Sequence, residues 1–136
     1  MEDKCIFCKI AGEEIPSYKV YEDENYFAFL DIRPLNKGHT LVIPKKHYRW
    51  VWDMPDVSGF YSVVARIANA LRKTFKTEYV VSLVFGEEVS HAHVWLVPRH
   101  EGDGHGGAID LKNVKKISEE DMKKAAEDIA GNIPEQ

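Results

Sequence analysis

The sequence has only two cysteines, no long hydrophobic run and no excess of basic residues. A chain of 136 residues can bury a core without disulfides. No apolar segment approaches the roughly 20 residues that a membrane-spanning helix needs. The first four residues, Met-Glu-Asp-Lys, lack the charged and then apolar pattern of a secretory signal. These absences predict a cytoplasmic protein with reduced thiols and no membrane partner.

The charge balance is mildly acidic, with 18 basic and 22 acidic residues and a net charge of −4. Nonspecific binding of nucleic acid needs a basic surface, so we expect no nucleic-acid partner. A local basic cluster still suits a small anionic ligand. Hydrophobic residues make up 44% of the chain and charged residues 29%, as in ordinary globular proteins.

The sequence also lacks internal repeats and low-complexity segments. Its clearest break is the glycine-rich stretch at residues 102–107, which predicts a flexible loop. We therefore predict a ligand-binding domain at residues 1–100, followed by a loop and a C-terminal helical tail at residues 101–136.

Hydrophobic periodicity predicts an α+β fold. Apolar residues recur at helical spacing from Pro55 to about Lys76, which indicates one long amphipathic helix. A capping-box pattern that begins at Ser118 predicts a second helix through about Ala130. A short helical turn is expected at residues 5–11, and strands are expected near residues 19–21, 26–31, 40–43, 79–85 and 90–97. We expect an antiparallel sheet of about five strands with one long crossover helix and a C-terminal helix.

The most informative segment places His91, His93 and Trp95 at every second position. In a strand these three side chains would form one row, and the residues between them would face a core. The alternative is a strand that exposes polar residues to solvent.

The pair Cys5 and Cys8 is ambiguous by itself, because such spacing suits a redox pair, half of a zinc site or two buried thiols. A tetrahedral zinc site needs two more ligands, and the candidates are His47 and His91. Without a metal, His47 would be a partly exposed loop residue. His39 is ordinarily a structural residue at a strand start, but next to the strand of His93 it would orient that imidazole or contact an anion.

Several ordered blocks resemble the histidine triad (HIT) family over nearly the whole core. The blocks are Cys-Ile-Phe-Cys-Lys-Ile at 5–10, Ile-Pro at 15–16, Val-Tyr-Glu-Asp at 20–23, Phe-Ala-Phe-Leu-Asp-Ile at 27–32, Gly-His-Thr-Leu-Val-Ile-Pro-Lys-Lys-His at 38–47 and Gly-Glu-Glu-Val-Ser-His-Ala-His at 86–93. The chain is most similar to the bacterial-type HIT hydrolases that carry an N-terminal CxxC. The resemblance implies a HIT-like nucleotide-binding fold, usually a homodimer with one continuous sheet.

The resemblance also implies a role for each matching residue. His93 matches the nucleophilic histidine that forms a nucleotidyl-histidine, and His39 matches the catalytic histidine beside it. Asp31 matches the acid that bonds ribose hydroxyls. The counterparts of a closed, structural zinc site are Cys5, Cys8, His47 and His91. The counterparts of the apolar base pocket are Ile6, Phe7, Ile10, Phe29 and Ile32, each of which also fits an ordinary core.

Three departures from the family pattern lie on the side of the leaving group. Trp95 takes the third triad position, where an indole offers one N–H donor and no basic nitrogen. Glu87 takes a position near the phosphates that is commonly glutamine, and a carboxylate there repels a polyphosphate. The connection between residues 79 and 91 is also short. In spite of these departures, we predict that Trp95 and Glu87 contact the nucleotide.

Two hypotheses follow. The first is a nucleotide hydrolase or nucleotidyltransferase that attacks the α-phosphate of a purine nucleotide derivative, either a dinucleoside polyphosphate or a nucleoside phosphoramidate. The alternative is a catalytically weak or inactive HIT-fold protein that binds a nucleotide or another partner. Nucleotidyltransferase relatives carry glutamine at the third triad position, so the loss of histidine there does not by itself exclude activity.

Overall fold

A five-stranded antiparallel sheet is the centre of the fold in the computed structural model, which describes residues 5–134. The strands are β1 at Lys19–Glu22, β2 at Tyr26–Leu30, β3 at Thr40–Pro44, β4 at Val80–Leu83 and β5 at Val94–Pro98. Their order across the sheet is β1-β2-β3-β5-β4, with every neighbouring pair antiparallel. The predicted sheet is therefore confirmed.

Three α-helices accompany the sheet, as predicted: α1 at Ile6–Ala11, α2 at Val57–Phe75 and α3 at Glu119–Gly131. Side-chain caps define where the two longer helices begin. The Asp56 carboxylate accepts a hydrogen bond from the Gly59 N–H at 3.0 Å, and the Ser118 hydroxyl accepts one from the Asp121 N–H at 3.1 Å. Within residues 5–134, none of the helices has the length and apolar character needed to cross a membrane.

The alternation of side chains along each strand gives the sheet two packed faces. On β2, Ala28 and Leu30 join a core that includes α2 and α3, whereas Phe27 and Phe29 join a separate cluster on the opposite face. α1 packs on that opposite face through Phe7. The candidate site lies there, between α1 and the sheet.

The last strand begins later than predicted, so the expectation of a strand over residues 90–97 is wrong at its start. β5 begins at Val94, because the Ala92 N–H donates to the Tyr48 carbonyl at 2.7 Å instead of to a neighbouring strand. His91 and His93 therefore lie just before β5, in a segment that belongs to no strand. The residues that alternate with His91, His93 and Trp95 still pack in the core on the side of α2 and α3, as expected. They are Ala92, Val94 and Leu96.

Hydrogen bonds hold the glycine-rich stretch against the domain, where a flexible loop was predicted. The Arg99 guanidinium pairs with the Asp103 carboxylate at 2.8 Å. Lys115 Nζ donates to the Leu35 carbonyl at 3.0 Å and to the Asp103 carbonyl at 2.7 Å. α3 then adds apolar side chains to the helix-side core. The proposed boundary between a domain and a tail remains a prediction.

Candidate active site and metal centre

Two thiols and two imidazoles cluster where α1 meets the end of β3. The first turn of α1 brings Cys5 and Cys8, the chain after β3 brings His47, and the segment before β5 brings His91. Their ligand atoms all lie within 4.8 Å of one another. Cys8 Sγ is 3.3 Å from His47 Nδ1 and 3.4 Å from His91 Nδ1. Cys5 Sγ is 3.3 Å from His91 Nδ1. The structure thus brings all four predicted metal ligands together.

The donor set and its spacing fit a tetrahedral zinc ion. Zinc–sulfur and zinc–nitrogen bonds of ordinary length at tetrahedral angles place S and N about 3.5 Å apart. The observed separations of 3.3 and 3.4 Å are close to that value. His91 Nε2 donates to the Pro44 carbonyl at 2.8 Å, which turns Nδ1 toward the thiols. The cluster can therefore hold zinc through four protein ligands, with no open position for a water molecule.

An apolar cavity of about 240 Å³ lies beside this cluster, between α1 and β2. The five residues predicted to contact a base all line it: Ile6, Phe7, Ile10, Phe29 and Ile32. Asp31, His93 and Trp95 supply the polar and aromatic part of the wall. Phe7 contacts both Phe29 and His93 edge to face, with ring centroids 5.6 and 5.1 Å apart. The cavity wall is therefore mostly apolar and carries a few polar groups.

His93 is held in one orientation at the wall of this cavity. Its Nδ1 lies 2.6 Å from the His91 carbonyl oxygen, so Nδ1 is the protonated nitrogen and donates to that oxygen. Burial lowers the pKa of His93, and the backbone carbonyls of His91 and Phe85 oppose this shift. A neutral imidazole in this tautomer keeps a lone pair on Nε2, which makes His93 competent as a nucleophile.

His39 is a buried neutral imidazole next to Asp31. Its Nδ1 accepts a hydrogen bond from the Leu35 N–H at 3.1 Å, so Nε2 carries the proton. Burial lowers the pKa of His39 to about 3. Nε2 is 3.7 Å from the Asp31 carboxylate and has no hydrogen-bond partner among the described residues. Burial also raises the pKa of Asp31, whose Oδ1 accepts from the Arg33 N–H at 2.8 Å.

The two substituted residues among these departures, Trp95 and Glu87, lie in different places. Trp95 lines the cavity and contacts His39 edge to face, with ring centroids 4.8 Å apart. Glu87 is exposed and is not a lining residue, whereas the next residue, Glu88, does line the cavity. Sequence reasoning missed Glu88 and Phe85, whose only sequence signal is their position just upstream of the histidine pair.

Fold and site together define a small α+β domain that joins a two-cysteine, two-histidine cluster to a ligand cavity. The HIT domain family model matches residues 12–102. An uncharacterized HIT-like protein of Methanocaldococcus jannaschii is 44% identical over 126 residues, which cover 88% of this chain and 96% of that protein. Adenosine 5'-monophosphoramidase of Saccharomyces cerevisiae is 36% identical over 104 residues, which cover 74% of this chain and 66% of that protein. The chain belongs to the histidine triad family.

Solved structures agree with this assignment. A Hit-like protein involved in cell-cycle regulation from Bartonella henselae has a TM-score of 0.82 at 33% identity, with 96% of both chains covered. A Zn-bound histidine triad family protein from Mycobacterium smegmatis has a TM-score of 0.78 at 30% identity, with 98% of this chain and 95% of that chain covered. The predicted HIT-like fold is confirmed.

Proposed function

We propose that this chain is a nucleotide hydrolase or nucleotidyltransferase that acts at the α-phosphate of a purine nucleotide derivative through His93. The observation that carries this proposal is the fixed tautomer of His93, whose Nδ1–H donates to the His91 carbonyl at 2.6 Å and leaves Nε2 for phosphorus. The substrate would be a dinucleoside polyphosphate or a nucleoside phosphoramidate. A monophosphoramidase among the relatives supports the second class.

The cavity has a suitable environment for each part of a nucleotide. Phe7, Phe29 and Ile10 form an apolar wall that suits the flat base. Asp31 presents a carboxylate that can accept hydrogen bonds from two ribose hydroxyls. With base and ribose bound in this way, the α-phosphate would lie at His93, which lines the same cavity.

The reaction would proceed in two displacements. Nε2 of His93 forms a bond to the α-phosphorus while the bond from phosphorus to the leaving group breaks. Water then attacks the phosphorus of the nucleotidyl-histidine, the N–P bond breaks, and a nucleoside monophosphate is released. The leaving group takes one proton from solvent, and the attacking water releases one proton to solvent.

The second candidate function is nucleotide binding without useful turnover. Trp95 favours it, because an indole cannot supply a proton to a poor leaving group at neutral pH. Trp95 lines the cavity close to His39, and burial keeps that neighbouring imidazole neutral. The two functions share the same nucleotide site. They differ in whether the bond to the leaving group is broken at a useful rate.

Zinc would have a structural role bound to Cys5, Cys8, His47 and His91. A closed four-ligand site stabilises the fold and holds α1 against the segment before β5. Thiolate ligands must stay reduced, which is in keeping with a cytoplasmic location.

A homodimer would extend the sheet at β4. This strand pairs only with β5 among the described strands, and its residues are exposed or half-buried. An open edge strand offers unpaired N–H and C=O groups to a second copy. Sedimentation of the purified protein should give the mass of two chains.

A direct test of the enzyme is incubation with a fluorogenic adenosine phosphoramidate and with dinucleoside polyphosphates, followed by intact mass measurement. We expect release of the fluorophore and a transient adenylyl adduct. His93→Ala should abolish both, whereas His100→Ala should change neither, because His100 is exposed and packs on Phe75 away from the cavity. Absence of turnover and adduct, with adenosine monophosphate still bound, would refute the enzyme and favour the binding protein.

A further inference from the structure

A second cavity of about 190 Å³ adjoins the nucleotide cavity. The two cavities share a wall made of Asp31, Phe85, Glu88 and Trp95. The lining of the second cavity also includes Leu111 and Val114, in the segment that precedes α3. This leaving-group cavity, as we name it, therefore depends on the C-terminal part of the chain.

The position of His93 indicates what the leaving-group cavity receives. His93 lines the nucleotide cavity and does not line the second one. In an in-line displacement the leaving group departs on the side opposite the attacking nitrogen. If the nucleotide binds as proposed above, with its phosphorus at His93, the second cavity is the adjoining space in which a leaving group would lie.

The charges of the leaving-group cavity are predominantly negative. Asp31 and Glu88 are acidic, and Arg33 is its only basic lining residue in the described part of the chain. Burial is the main cause that raises the pKa of Asp31, and the charge of Glu88 adds to it, whereas the backbone N–H and the charge of Arg33 lower that pKa. With Asp31 and Glu88 ionised and Arg33 protonated, the lining residues carry a net charge of −1, and Trp95 is uncharged.

We propose that Glu88 selects the leaving group by charge, so that this site favours a nucleoside phosphoramidate whose amine carries a second, cationic group over one with a neutral or anionic group and over a polyphosphate. This inference rests on the proposed function. A cationic group in the second cavity would approach the Glu88 carboxylate, while a polyphosphate would bring several negative charges to the same wall. Glu88 is thus a specificity residue, and His93 remains the nucleophile.

The covalent step balances with water as the co-reactant. The His93 Nε2–P bond forms and the P–N bond to the amine breaks, and the departing amine nitrogen takes a proton from solvent. Water then breaks the Nε2–P bond and releases the nucleoside monophosphate and a proton. The cationic group is remote from the reacting nitrogen, so it changes binding of the leaving group without entering the bond changes.

The test uses three adenosine phosphoramidates of equal chain length that end in an ammonium, a hydroxyl or a carboxylate group, together with a dinucleoside polyphosphate. We expect kcat/KM to fall in the order ammonium, hydroxyl, carboxylate, by about fivefold per step for one partly screened charge contact. Added salt should reduce the preference, because Glu88 is exposed to solvent.

Substitutions at Glu88 and at one control position separate Glu88 from the general charge of the protein. Glu88→Gln should remove the preference for the ammonium substrate, and Glu88→Lys should reverse it. Glu127→Gln changes the net charge by the same amount but alters an exposed residue of α3 outside both cavities, so the preference should persist. Equal loss of preference in Glu127→Gln and Glu88→Gln would overturn the assignment to Glu88.

The remaining outcomes separate this inference from the proposed function. Turnover of all four substrates without charge preference, or the fastest turnover for the polyphosphate, would overturn the charge selection and leave the enzyme intact. Absence of turnover with every substrate would overturn the proposed function and the inference with it.

Discussion

His39 should make the stability of this protein fall as the pH falls from 8 to 5. The residue is 1% exposed, and burial lowers its pKa from 6.5 to about 3. Between these two pKa values the unfolded chain binds a proton that the folded chain does not bind. The stability associated with neutral His39 is therefore fully present above the unfolded pKa and is lost progressively as the pH falls through this window.

The two pKa values give the size of the effect. At pH 5 the unfolded imidazole is mostly protonated and the folded one is mostly neutral, which corresponds to a loss of about 2 kcal/mol relative to pH 8. Asp31 Oδ2 lies 3.7 Å from Nε2 and would attract a protonated ring. The value is therefore an upper limit for this single group.

The assay compares urea unfolding of the wild type and His39→Asn at pH 8, 7, 6 and 5 with equal zinc. The asparagine oxygen can replace Nδ1 as the acceptor of the Leu35 N–H, which is bonded at 3.1 Å in the wild type. Protonation of the metal ligands affects both proteins and cancels in the difference. We expect the wild type to lose up to about 2 kcal/mol more than His39→Asn between pH 8 and pH 5. Parallel pH profiles would refute the reasoning.

Three further predictions concern other parts of the molecule. Trp95→His should raise kcat more for poor leaving groups than for activated ones, and equal gains would count against the proton-transfer argument. Elemental analysis should find about one zinc per chain, with less zinc and a lower Tm in Cys8→Ser; a metal-free wild type with the same Tm as the zinc-loaded protein would contradict the structural site. Lys115→Met leaves the Asp103 carbonyl without one donor and should destabilise the protein by about 1 to 3 kcal/mol. Calorimetry should show no comparable loss in the exposed control Lys124→Met.

The helices could be predicted from the sequence because their signals are local. The first helix signal is the apolar spacing that follows Pro55, and the second is the capping-box pattern at Ser118, which lies directly before its helix. The start of β5 could not be predicted in this way, because it depends on a hydrogen bond from Ala92 to Tyr48, which is far away in the sequence. The alternation of polar and apolar residues at 90–93 is the same whether the backbone bonds to a strand or to a loop. It therefore does not show where β5 begins.

The clustering of Cys5, Cys8, His47 and His91 and the lining of the cavity were predictable for a different reason. Their motifs are specific in combination, and Cys8 and His47 meet as those motifs imply. The orientations of Glu87 and Glu88 were not predictable, since the segment before the histidine pair lies outside any helix or strand and has no periodicity. The contribution of Leu111 to the second cavity was not predictable either. It depends on how the segment before α3 packs against the sheet, and no local sequence pattern indicates this.

His91 connects the cluster of two cysteines and two histidines to His93, the proposed nucleophile. Its Nδ1 faces the two thiols, and its backbone carbonyl accepts the Nδ1–H of His93 at 2.6 Å. Zinc bound to this cluster would fix the acceptor that determines the tautomer of His93, and a closed site would take no part in the bond changes. Removal of zinc from folded protein should lower kcat on activated phosphoramidates more than it raises KM, and added zinc should restore kcat. An unchanged kcat in zinc-free, folded protein would show that the position of His93 does not depend on the cluster.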